Sequence, residues 1–170
     1  MEDFSEYDKA QAKYYGQLNV KTVPVMSWEF NHRFTSEMKS IASDLKKLQN
    51  LAADYNWNTD LNFEERIREE TIVVTDHQLK IVYSSESMLE MNGYSEEEVL
   101  GQSPKMFQGK DTDVQSLLEI NDAIQQRKPF SKTVLNYKKN GKIYHCRIDA
   151  YPIFNLQNEF THFIAFEKAA

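Results

Sequence analysis

A chain of 170 residues with a formal net charge of −6 holds one domain, or one domain with an extension. It lacks the basic surface that binding to a phosphate backbone requires. Hydrophobic residues at 41% and aromatics at 12% suffice for a core, and 27% charged residues with few glycines and prolines exclude wholesale disorder.

The acidic start Met1-Glu2-Asp3-Phe4-Ser5-Glu6 leads into no long apolar run. Neither an export signal nor a membrane span is therefore expected, and the cytoplasm is the expected location. In the first segment, Ser5 is placed to cap a short helix ending near Gly16, and Val20 to Pro24 reads as extended. Ser27 is placed to cap a long helix reaching about Tyr55. Along it Phe34, Met38, Ile41, Leu45, Leu48, Ala52 and Tyr55 recur at alternating spacings of four and three, which puts them on one stripe. A core-facing helix accounts for this stripe better than a dimerising coiled coil. It runs for only about three heptads and has no systematic opposite charges beside it. Asn62 with Glu65 forms a capping-box pattern for a further short helix. The segment 1–60 is read as a helical extension and 61–170 as the main domain.

From Thr71 the pattern becomes β-rich. Thr71–Thr75 and Leu79–Tyr83, separated by Asp76-His77-Gln78, predict a hairpin. Met88 to Met91 predicts a helical piece stopped at Asn92-Gly93. Ser95 with Glu98 is a second capping box, closed by Gly101. Asp113 is placed to cap a better helix with Leu117, Leu118, Ile120 and Ile124 as its apolar positions. Ser131–Lys139 then turns at Asn140-Gly141 into Lys142–Phe154, and Asn155–Asn158 turns into Phe160–Glu167. Two strands, several short helices and three strands predict an α+β domain. Its five-stranded antiparallel sheet carries the short helices on one face.

The run Met91-Asn92-Gly93-Tyr94-Ser95-Glu96-Glu97-Glu98-Val99-Leu100-Gly101-Gln102-Ser103-Pro104 resembles the helical region of the PAS family. Lys105 to Asp113, Asn136-Tyr137-Lys138-Lys139-Asn140-Gly141, Pro152-Ile153 and Phe163-Ile164-Ala165-Phe166 are similar to its LOV branch, the flavin-binding blue-light receptors. The resemblance covers about residues 70–168 and implies the PAS fold. It further implies that Pro104 stands where photoactive members carry the adduct-forming cysteine. Gln108 and Asn136 retain flavin-holding amides, or are remnants bonded to nearby backbone. The second asparagine of that set falls at Cys146 and the final glutamine at Glu167. At the phosphate end, Lys105 and Asn121 stand where arginines are usual. A lysine there acts as a point charge without the bidentate fork. The pocket candidates are thus Pro104, Lys105, Gln108, Asn121, Asn136, Cys146 and Glu167. Their substitutions count against FMN binding, so no cofactor is expected.

Cys146 is the only cysteine, which excludes an internal disulfide and a Cys-only metal site. Alternation on its strand turns it inward as a packed thiol. The four histidines show no metal-ligand spacing, and residues 113–127 contain none, so neither a metal nor haem is expected. No phosphate loop, nucleophile elbow or HExxH pattern is present, and no enzymatic activity is expected. If Asn136, Cys146 and Glu167 face the pocket, Leu135, Tyr137, Ile164 and Phe166 form an apolar opposite face that must be covered. The stripe Phe34, Met38, Ile41, Leu45, Leu48 or a second subunit is expected to cover it. The sequence therefore reads as a stand-alone sensory or protein-interaction module that binds a protein partner or itself as a homodimer, with a small apolar ligand possible. The alternative is a flavin-binding sensor without cysteinyl-adduct chemistry, signalling by flavin reduction.

Overall fold

The computed structural model describes residues 26–59 and 61–170, with side chains from residue 35 onwards. The expected short helix near residues 5–16 and the extended stretch at 20–24 lie outside the described residues. The chain divides into two compact units, Met1–Glu37 and Met38–Ala170, the division falling inside the long helix.

Helix α1 spans Met26–Asp54, so Ser27 sits within it instead of capping it. Helix α2, Phe63–Arg66, begins where Asn62 predicts. Asn62 is left-handed (φ 50°) and makes no side-chain cap bond, so the expected capping box does not form there. In the second case the box does form: Ser95 and Glu98 close reciprocally around helix α4, Glu96–Val99. Helix α3, Ser87–Asn92, ends at Gly93 with φ 87°, in the left-handed region that favours glycine. A 3₁₀ turn spans Pro104–Phe107. Helix α5, Val114–Gln125, starts where Asp113 accepts a hydrogen bond from the backbone N–H of Ser116 at 2.7 Å.

The strands are β1 (Thr71–Thr75), β2 (Ile81–Ser84), β3 (Phe130–Tyr137), β4 (Ile143–Phe154) and β5 (Phe160–Ala169). They form one antiparallel sheet ordered β2-β1-β5-β4-β3. Strand β2 starts two residues later than the β-rich run beginning at Leu79. The Asp76 carboxylate accepts from the backbone N–H groups of Gln78 and Lys80, at 2.8 and 2.9 Å. Leu79 is left-handed at φ 59°. Side-chain capture of the backbone lengthens the turn at the strand's expense. The β3–β4 turn places Gly141 at φ +81°, as the Asn-Gly pair predicts.

The pleat divides the core into two clusters. On one face Val73, Ile81, Met88, Val99 and Phe107 are buried together. On the other, Leu48 of α1 is fully buried against Ile72, Val74, Ile164 and Phe166, flanked by Ile41, Leu45 and Leu51. The C-terminal part of α1 thus covers β1, β5 and the end of β4. Each large apolar side chain so withdrawn contributes roughly 1.5–3 kcal/mol.

Polar contacts from Ser40, Asp44 and Lys47 tie this part of the helix to the β2–α3 corner and to α4. The Asp44 carboxylate accepts the Glu86 N–H at 2.7 Å, the Tyr83 hydroxyl donates to the Asp44 carbonyl at 3.2 Å, and Lys47 pairs with Glu96 at 2.5 Å. Ser40 also donates to the Glu86 carboxylate. Asp44 is only 4% exposed, and that burial raises its carboxyl pKa against the opposing Glu86 N–H bond and Lys47 charge.

The cover is narrower than the alternation of the sequence suggests. Leu135 and Tyr137, expected beneath the stripe, lie outside this cluster. Tyr137 instead stacks on Gly109 and exchanges hydrogen bonds with Asp111, its hydroxyl donating to the carboxylate at 2.7 Å. Met38 is 37% exposed, and the side chain of Phe34 lies outside the described residues.

Candidate functional site

Alternate residues of β1, β3, β4 and β5 point away from α1, toward α5 and the 3₁₀ turn. Between the two layers lies a cavity of about 430 Å³, within the range of small-molecule sites. Its walls are mainly apolar: Val73, Val134, Ile148 and Phe163 from the sheet, Leu117 and Ile124 from α5. The sequence singled out none of the sheet walls, although Val73, Ile148 and Phe163 stand on the face that alternation assigns to the pocket. Helix α5 also presents Val114 and Leu118, which line the cavity and are 68% and 58% exposed. These two residues mark an open side rather than a sealed core.

Five of the pocket candidates line the cavity together with Asn136 of β3: Pro104, Lys105, Gln108, Asn121 and Glu167. Asn136 and Glu167 are 4% and 5% exposed. Glu167 pairs across the ladder with Ile148, and Cys146 lies one pleat further along β4. Cys146 faces the same way but does not line the cavity. Its Sγ donates to Glu167 Oε2 at 3.5 Å, so it sits behind the carboxyl. Burial, followed by the adjoining carboxylate, pushes the Cys146 thiol pKa strongly up. Cys146 is thus a free, fully buried thiol. Burial pushes Glu167 up to about 7, opposed by the Cys146 contact. The Tyr144 hydroxyl is buried beside the side chains of Asn92 and Asn136 without a well-formed hydrogen bond, and desolvation raises its pKa as well.

In the same lining, the Ser103 hydroxyl accepts from Lys105 N–H and starts the 3₁₀ turn with Pro104 at its first position. Pro104 offers no nucleophile and no donor. Lys105 is exposed and is the single cation of the lining among the described residues. The Gln108 side chain makes no hydrogen bond to a described residue, which leaves its amide free for a ligand. Among the described residues, no group of three or more His, Cys, Asp or Glu is placed to hold a metal ion, and no helix is long and apolar enough to cross a membrane.

The family description of the PAS domain matches residues 69–168, over half of the chain and across the whole sheet and cavity. The chain belongs to the PAS domain family. This PAS domain is 37% identical over 86 residues to Protein TWIN LOV 1 of Arabidopsis thaliana, covering 50% of this chain and 22% of that protein. It is 33% identical over 103 residues to Phototropin-2 of Oryza sativa subsp. japonica, covering 59% and 11%. To a blue-light-activated histidine kinase of Brucella ovis it is 32% identical over 85 residues, covering 50% and 17%. The chain therefore spans less than a quarter of the length of these relatives. Among solved structures, the dark form of Aureochrome1 LOV superposes with a TM-score of 0.60 at 23% identity, covering 66% of this chain and 86% of that one. A light-oxygen-voltage domain studied with a flavin analogue gives 0.60 at 20% identity, covering 65% and 86%. These likenesses show the fold. The chain carries a LOV-like PAS domain, a sensory domain of signalling proteins, related to blue-light photoreceptors.

The group this kinship implies is a flavin, and the kinship gives no support to the expectation that no cofactor is bound. The lining fits the ring of such a group, with apolar walls and with Asn136, Gln108 and Glu167 as polar edges. Lys105 alone would meet an anionic tail. When bound, a flavin supplies visible absorption and redox chemistry. No side chain among the described cavity-lining residues supplies a thiol to capture it.

Proposed function

We propose that this PAS domain is a non-catalytic sensory module that binds a largely apolar, polar-edged ligand in its inner cavity without covalent capture. It passes the bound state to a protein partner or a second copy of itself. One observation carries this reading: the cavity is mainly apolar, is bordered by the amides of Gln108, Asn121 and Asn136, and has Pro104, which carries no nucleophile, in its lining. The relay is supported by strand β5. Glu167 faces the cavity, while its neighbour Phe166 is 1% exposed on the opposite face, in the cluster that holds Leu48 of α1. A change at one face of this strand is felt directly at the other. A cytoplasmic location belongs to the same proposal.

Flavin is the ligand favoured within this class, because the retained Asn136 and Gln108 line the cavity beside a carboxyl able to replace an amide donor when protonated. The test is a thermal-shift series on the full chain with riboflavin, FMN and apolar heterocycles without flavin edges. Stabilisation by at least one class supports the reading. A melting temperature that none of them moves overturns it.

A further inference from the structure

The deep end of the cavity holds one buried group whose hydrogen-bonding capacity the protein leaves largely unused. Glu167 is 5% exposed and lines the cavity. Among the described residues, its carboxyl has a single hydrogen-bond partner, Cys146 Sγ at 3.5 Å. A thiol is a weak donor, and among the described residues no cation stands beside this carboxyl. The titratable groups that face it are Cys146 and Tyr144, both from β4. Thr71 of β1 and Ile148 of β4 flank it on the ladder. The only other charged residue of the lining, Lys105 from the 3₁₀ turn, is exposed.

A carboxylate left there would be buried without a counter-ion, whereas a carboxylic acid becomes a donor aimed into the cavity. We propose that Glu167 donates its carboxyl proton as a hydrogen bond to an acceptor atom on the buried edge of the ligand, so that ligand capture is proton-linked. The ligand class is a neutral planar heterocycle bearing a carbonyl oxygen or unprotonated ring nitrogen at that edge. This inference rests on the proposed ligand-binding role and adds the chemistry of its inner end. The proton stays on Glu167 in the complex, so no bond is exchanged and no co-reactant is needed. The position of the carboxyl pKa, about 7, sets the window in which the link shows.

The test titrates the full chain with riboflavin, followed by quenching of its fluorescence, at about pH 5.5, pH 7 and pH 8.5, on either side of the shifted carboxyl. Wild-type affinity should be level on the acid side and weaken about tenfold per pH unit above 7. Glu167→Gln donates at every pH and should bind with one affinity throughout. A level wild-type profile overturns the proton link and leaves the ligand-binding role standing. Failure of riboflavin to bind either protein at the acid end overturns the flavin reading and this inference with it. Infrared spectra of the wild type give a second readout that needs no variant. Riboflavin should increase the protonated-carboxyl band near neutral pH, and an unchanged band contradicts the proposal.

Discussion

Truncating Leu48 tests whether helix α1 is part of the folded core of the PAS unit or an appendage. Leu48 is 0% exposed and sits on Ile72, Val74, Ile164 and Phe166. Leu→Ala at buried sites costs roughly 2–5 kcal/mol, depending on how far the surroundings collapse. Collapse is restricted here from both sides. Strands β1 and β5 are interior to the sheet, so their backbones are held by ladders on each flank. The helix is fixed by the Asp44, Ser40 and Lys47 contacts to the β2–α3 corner and α4. Leu48→Ala is therefore expected in the upper half of the range, roughly 3.5–5 kcal/mol, a large fraction of a typical domain stability of about 5–15 kcal/mol. Urea denaturation of the full chain, followed by far-ultraviolet circular dichroism, measures it. A loss under about 1 kcal/mol with an unchanged denaturant slope would refute the packing argument and make α1 a detachable element.

Stability should also depend on pH through Glu167, whose carboxyl moves from an ordinary 4.5 to about 7 on folding. Between those values the folded chain holds a proton that the unfolded chain has released. Stability is then fully present below about 4.5 and falls as pH rises, levelling off above 7. The fall is at most roughly 3 kcal/mol. Glu167→Gln should flatten that share of the profile, leaving the smaller contribution of the same sign from Asp44; denaturation at acid and alkaline pH shows whether it does. At Gly109 an added methyl would stand 2.4 Å from the Tyr137 ring. Gly109→Ala should accordingly destabilise by about 1–3 kcal/mol, and most of the loss should vanish in a Tyr137→Ala background. Blue light should leave the visible band of riboflavin-loaded protein without reversible bleaching, because Pro104 has no thiol. Bleaching with dark recovery that Cys146→Ser abolishes would reverse this expectation.

Elements whose signals are local were legible in the sequence. The Asn140-Gly141 turn, the Ser95–Glu98 box, the Asp113 cap and the run of strands from Thr71 to Glu167 each rest on neighbouring residues, and each is present. The stripe through Ile41, Leu45 and Leu48 was legible for the same reason. Features decided by distant partners were hidden. Nothing near Asp44 in the sequence shows that Glu86, 42 residues away, brings its backbone N–H to that carboxylate. Tyr137 reads as an outer-face residue until the loop at Gly109 folds against its ring. Leu79 and Lys80 read as strand, because nothing in a β-rich run shows that Asp76 takes the Lys80 N–H. Alternation put Cys146 on the correct face of β4 but could not show that the Glu167 carboxyl lies between it and the cavity.

The central question is whether the cavity holds a ligand by contacts alone. Mass spectrometry of the purified full chain, under native and then denaturing conditions, addresses this directly. The native mass should exceed that of the 170-residue chain by one small molecule, which is lost completely on denaturation. A bare chain mass under native conditions, or an added mass that survives denaturation, would contradict this expectation.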